Sequence, residues 1–268
     1  MKNIKVYIKE AIEEDERIIQ RFKEELEDSS YSEYVEKLKD MCRDRKTLNL
    51  LKMVFGGEYS DIRMNKSSRP KVAKALIPTQ NEVDAEKSLK KGFLNPASID
   101  GCFANPAELR GEPIITFNRN YIVDGHHRWA QILIVNPSAR CSVINFDNDE
   151  MGPIEMLKAA QGTIAADTET IKMSTVNGDN LLEVSPARAR ELIETWLVPE
   201  TVERILYYLP DLKDRDGVVK YLMKNIKKMQ NNNQSIRFAP GRDYMPQTDT
   251  DPDFEDNIVN TTKIEGNK

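Results

Sequence analysis

The chain has 268 residues, 39% of them hydrophobic and 31% charged, with 39 Lys and Arg against 44 Asp and Glu and a formal net charge of −5. That length covers one large domain or two modest ones, and no apolar run approaches the ~18 residues of a membrane span. The three cysteines, Cys42, Cys102 and Cys141, are odd in number and lack C-x-x-C spacing, which argues against a disulfide framework and a thiolate zinc site. The start, Met1-Lys2-Asn3-Ile4-Lys5, lacks the apolar stretch of a secretory leader, so a cytoplasmic, intracellular location is expected. Charge is uneven. From Asp243 to Lys268 seven acids meet two bases, which accounts for the whole net charge and leaves residues 1–242 neutral. A neutral body disfavours wholesale duplex DNA binding, which needs a basic excess.

Residues 1–66 read as a helical arm. Ile8, Ile12, Ile19, Phe22 and Leu26 recur near a 3.6-residue period, Ser29-Ser30 breaks the run, and Tyr34, Val35, Leu38 and Met41 resume it. Residues 67–168 change character. Pro70 to Pro78 predicts a strand entering a turn, and Glu82 to Lys91 a short helix. Pro113–Phe117 and Tyr121–Val123 are strands around the turn Asn118-Arg119-Asn120. Asp124-Gly125 opens a helix through Trp129 and Leu133, stopped by Asn136-Pro137; Cys141–Phe146 is a further strand and Pro153–Ala160 a further helix. Residues 169–234 predict a hairpin around Asn177-Gly178-Asp179, then helices begun by Ser185-Pro186, by Pro199 and by Asp216-Gly217. These three helices read as a plain helical cap in preference to a helix-turn-helix. Residues 235–268 predict a disordered acidic tail, with too little apolar surface to offset ordering entropy. Its aromatic run Phe238 to Gln247 would suit a protein partner.

The informative string is Asp124-Gly125-His126-His127-Arg128, which holds both histidines of the chain. It falls between a strand end and a helix start, where unpaired N–H groups and the helix dipole favour phosphate. Gly125 lets an anion approach the backbone. Arg128 carries a planar fork of donors, Asp124 is a candidate for magnesium or acid/base work, and His126 and His127 are candidates to donate to phosphate or shuttle a proton. Trp129 is expected in the core.

Asp124-Gly125-His126-His127-Arg128 resembles the signature of the ParB/sulfiredoxin superfamily, and Leu76-Ile77-Pro78-Thr79-Gln80-Asn81-Glu82-Val83-Asp84 resembles its upstream box. The likeness covers about residues 70–160. It implies a small α+β core that binds a nucleoside phosphate (ATP, ADP or CTP) at that helix start, with Gly125, His126, His127 and Arg128 on the phosphate. His126 stands where sulfiredoxins carry their nucleophilic cysteine, so sulfinic acid reduction is not expected. His126 and His127 also replace the glutamate and an arginine of the partition proteins. Asp124, Gly125, His126 and Arg128 match the Asp-Gly-His-x-Arg of the free-serine kinases, and by position Glu82 matches their activating glutamate. The expectation is an α+β protein with this core, an N-terminal helical arm and a C-terminal helical region. Its activity would be magnesium-dependent phosphoryl transfer or hydrolysis by Asp124, His126, His127 and Glu82. The alternatives are a phage structural or adaptor protein with a vestigial pocket, located in the virion, and a ParB-like DNA-binding protein or nuclease.

Overall fold

The computed structural model describes residues 24–44, 64–175, 178–232 and 235–260, with the single positions Arg17 and Arg21. In chain order come α1 (Tyr31–Arg43), β1 (Asn65–Ser67), β2 (Lys71–Val72), β3 (Ile77–Pro78), α2 (Ala85–Phe93), α3 (Pro96–Phe103), β4 (Ile114–Phe117), β5 (Tyr121–Asp124) and α4 (His126–Val135). After them come β6 (Arg140–Cys141), β7 (Val143–Asp147), α5 (Pro153–Thr168), α6 (Pro186–Trp196), α7 (Pro199–Tyr208), α8 (Arg215–Asn232) and α9 (Phe254–Asn260). The class is mixed α+β.

The chain divides into two compact units, one of residues 65–153 and 174–245, the other of residues 1–64, 154–173 and 246–268. Both cut across the four consecutive segments expected from sequence.

The larger unit is built on a five-stranded sheet in the order β1-β7-β4-β5-β3, with a two-stranded ribbon of β2 and β6. β4 and β5 form the predicted antiparallel hairpin. Its turn residues Asn118 and Arg119 have φ of 42° and 72°, and the Asn118 side chain pairs with the backbone of Asn148 in both directions at 2.9 Å. β3 lies parallel to β5 and β7 parallel to β4. The first strand corrects the reading of 1–66 as all helical, because Asn65–Ser67 pairs with Asn145–Asp147 at the sheet edge. Residues 1–16 and 45–63, where much of the expected arm falls, lie outside the described residues.

Asp84 caps α2 by accepting the Lys87 N–H at 2.8 Å, which moves the helix start to Ala85. Pro186 and Pro199 open α6 and α7 in the first turn, where a proline costs no hydrogen bond. Ile114, Ile122, Trp129, Leu133, Ile193 and Leu222 are buried in one core that joins sheet and helices. α8 is tied to the end of α4, since Asn225 Nδ2 donates to Ile134 O at 2.8 Å and the Tyr221 hydroxyl to Val135 O at 3.0 Å. The expected hairpin around Asn177-Gly178-Asp179 falls partly outside the described residues, at positions 176 and 177; among the described ones Asn180 forms an isolated bridge to Asp84.

In the smaller unit Ser30 and Glu33 form a capping box at α1. Its Tyr34, Val35, Leu38 and Met41 are buried, as the periodicity predicts, and the Tyr34 hydroxyl donates to Lys158 O of α5 at 2.9 Å. The expectation of an unpacked tail is corrected for residues 235–260. Arg242, Met245, Thr248, Asp251, Phe254 and Ile258 are all buried. Phe254 and Ile258, four apart, share one face of α9, and Asp251 Oδ1 accepts the Asp253 N–H at 3.0 Å. Met245, Phe254 and Ile258 go inward, while Phe238 stays exposed. Residues 261–268 lie outside the described residues.

Candidate functional site

The site lies in the larger unit, where β5 ends and α4 begins. Gly125 is the N-cap of α4 with φ of 95°, a left-handed conformation that lets the chain turn sharply from sheet into helix. A Cβ there would meet the Arg128 guanidinium at 3.0 Å. Gly125→Ala is expected to lower stability by about 1–2 kcal/mol, read by urea unfolding, and to displace Arg128.

The two histidines, neighbours in sequence, are about 100° apart around the helix and face different elements. His126 is buried. Its Nε2 accepts the Thr79 N–H at 3.1 Å, so in the neutral ring the proton sits on Nδ1. Thr79 also donates its hydroxyl to Ile122 O at 2.5 Å, which ties the loop leaving β3 to both β5 and α4. Burial, with the nearby His127 and Arg128, holds the His126 pKa down at about 3. His126 is thus a neutral bracket for the Thr79 loop.

His127 points to α2, with Nδ1 3.0 Å from Ser88 Oγ. Ser88 has a single hydroxyl proton, which it gives to Asp84 O at 2.6 Å. His127 Nδ1 is therefore the donor, and Nε2 carries a lone pair. Burial lowers the His127 pKa to about 3, helped by Lys87, Lys91, Arg242 and Arg110. Lys91 is itself lowered, first by burial and then by Arg110 and Lys87. Lys87 and Lys91 share α2 with Ser88, which His127 meets, so their charges act on the imidazole.

Their compensation differs. Arg128 pairs with Glu112 at 2.5 Å and with Asp124 at 3.1 Å, and gives a further bond to Pro113 O at 3.1 Å. Its fork, expected to be open to phosphate, is held by carboxylates, while its buried Nε has no hydrogen-bond partner among the described residues. Buried Arg242 lies 3.6 Å from Glu82 and 3.4 Å from Asp84. Lys87, Lys91 and Arg110 form no ion pair among the described residues.

The structure thus brings Glu82, Arg242, Asp84 and His127 to one corner, and Asp124, Arg128 and Glu112 to the other. Asp124 offers a single carboxylate shared with Arg128, and no group of three or more His, Cys, Asp or Glu among the described residues could hold a metal ion. A magnesium ion would fit only with phosphate oxygens completing its shell. Sequence reasoning missed Thr79, Ser88, Lys87, Lys91, Arg110 and Arg242. Lys87 and Lys91 carried a usable signal, being four apart on one face of the predicted helix. Arg242 carried none, since it reaches the site only because the segment after α8 runs back along the β3 loop, with Asn81 N–H donating to Pro240 O at 3.0 Å.

Trp129 is buried as expected, and its Nε1 donates to Ala73 O at 2.9 Å. No helix among the described residues is long and apolar enough to cross a membrane. The chain matches no family model, no curated protein and no solved structure.

Proposed function

We propose that the larger unit is a ParB/sulfiredoxin-like core that binds a nucleoside phosphate at the amino end of α4. We further propose that it transfers or hydrolyses a phosphoryl group with magnesium. The observation that carries this reading is the convergence of Lys87, Lys91 and Arg110, all without an ion pair among the described residues, on His127 beside a glycine-opened helix start. Backbone N–H groups at Gly125 to His127 and these cations would hold the phosphate. Bound anion would raise the His127 pKa, so that Nε2 takes up a proton and turns from acceptor to donor. Arg128 would exchange part of its contact with Glu112 for phosphate. Magnesium, when bound, would neutralise phosphate charge, with Asp124 as its one protein ligand. His126 would position the Thr79 loop without touching ligand. Glu82, held by Arg242, would help fix the strap that carries Arg242.

A second reading, binding without turnover, rests on a separate observation. The carboxylates Glu82, Asp84, Glu112 and Asp124 each lie in an arginine pair, and burial holds both histidines near 3, which makes their neutral rings weak bases. General-base work therefore lacks an obvious agent. An adaptor or virion role belongs with this reading. Duplex DNA binding is not favoured, given the neutral body.

A thermal-shift panel of ATP, ADP, CTP and GTP, with and without magnesium, separates the outcomes. Ligand at a hundred times its Kd should add about 2.7 kcal/mol of apparent stability. That gain should vanish in the paired exposed changes Lys87→Ala and Lys91→Ala, and in Arg128→Ala. Phosphate release from the stabilising nucleotide then decides between turnover and binding alone. No shift with any nucleotide would overturn the reading.

A further inference from the structure

A concavity in the larger unit opens on the side of α4 that carries Trp129 and Leu133. It has a volume of about 630 Å³, within the range of roughly 300–1,000 Å³ usual for small-molecule sites. Trp129 and Leu133 form one wall. Trp129 lies two residues beyond His127, about 200° around the helix, so this wall faces away from the phosphate corner. Leu76 and the first residue of β3, Ile77, form the second wall, and Met229 of α8 the third. Together they make an apolar floor.

The rim is basic. Lys74, from the tight turn before β3, and Lys228, from α8, both line the opening. Neither forms an ion pair among the described residues. None of the described lining residues is an acid, although the chain carries 44 Asp and Glu. An apolar floor under two uncompensated ammonium groups complements a molecule with an apolar body and one negative head. A neutral apolar ligand would leave the lysines unused, and a polyphosphate would waste the floor.

We propose that this cavity binds a small amphiphilic organic anion, an alkyl or aryl carboxylate, with its chain or ring on Trp129, Leu133 and Leu76 and its head between Lys74 and Lys228. The assignment stands independently of the nucleotide site. Because α4 carries both sites on opposite faces, the occupant would also brace the helix that presents His127.

The test uses the full chain and two fluorescent probes of similar shape, anionic anilinonaphthalene sulfonate and neutral phenylnaphthylamine. The sulfonate is expected to bind saturably at one site and to be displaced by octanoate but not by octanol. Reversing both exposed charges, Lys74→Glu with Lys228→Glu, should weaken the sulfonate about tenfold and leave the neutral probe nearly unchanged. Raised salt should weaken the sulfonate alone. Because both lysines are exposed, the double variant should keep the native urea midpoint. Absence of saturable binding to the native protein would overturn the proposal. So would binding that the double variant leaves intact, or displacement by octanol as readily as by octanoate.

Discussion

Trp129→Ala is expected to lower stability by about 3–5 kcal/mol, the largest effect of any single substitution in the candidate site region. The indole is among the largest fully buried side chains of the larger unit. It also donates to Ala73 O at 2.9 Å, a carbonyl that otherwise keeps only the Leu76 N–H at 3.2 Å, so its removal costs a buried hydrogen bond beside the new void. Trp129 belongs to α4 and Ala73 to the turn before β3, so this one side chain fixes α4 against the start of the sheet edge. Trp129→Phe should cost clearly less, since most of the volume stays. Urea unfolding followed by far-ultraviolet dichroism measures both changes, and Trp196 remains as a fluorescence reporter in each variant. A Trp129→Ala protein with a native midpoint would contradict the packing described.

Acid should destabilise the fold well before its carboxylates titrate. Both histidines ionise near 3 in the folded chain, against an ordinary value of 6.5. As pH falls below about 6.5 the unfolded chain therefore binds protons that the folded chain refuses. The histidine contribution is complete above that value and declines down to about 3, by up to about 1.4 kcal/mol per pH unit for each ring. His126 has the clearer cause, because a proton on Nε2 would remove the acceptor for the buried Thr79 N–H. His126→Gln keeps an acceptor in reach of that N–H and cannot titrate, so it should flatten the dependence of the urea midpoint on pH. His127→Gln should flatten it further when added. Equal slopes in wild type and the double variant would show that the rings do not carry the acid sensitivity.

The two halves of the site differed in legibility for physical reasons. The β4–β5 hairpin, the sharp entry to α4 and its stop at Asn136 were plain, because local chemistry sets each of them: alternating apolar runs, an asparagine turn, a glycine before the helix. The same string drew attention to the turn where β5 meets α4. It did not assign the histidines, since helical neighbours point 100° apart and only the packing decides which meets the Thr79 loop and which meets Ser88. Nor did it show that Arg128 is held by Glu112, or that Arg242 arrives from a segment expected to be unpacked. In that segment the average composition was misleading. A few buried residues such as Met245, Phe254 and Ile258 give it a packed face. The edge strand β1 escaped for the opposite reason. Asn65-Lys66-Ser67 has no apolar alternation, and its backbone pairing with β7 leaves no mark in the sequence.

The central proposal is that a nucleoside phosphate binds against His127, and the chain has only two histidines with which to observe it. Histidine-selective nitrogen-15 NMR at neutral pH would resolve both rings. Without ligand both should be neutral with the proton on Nδ1. Adding the nucleotide that stabilises the protein should move His127 Nε2 toward its protonated position and leave His126, bonded to Thr79, nearly still. Saturating nucleotide that moves neither ring of the folded protein, or moves His126 alone, would contradict the account.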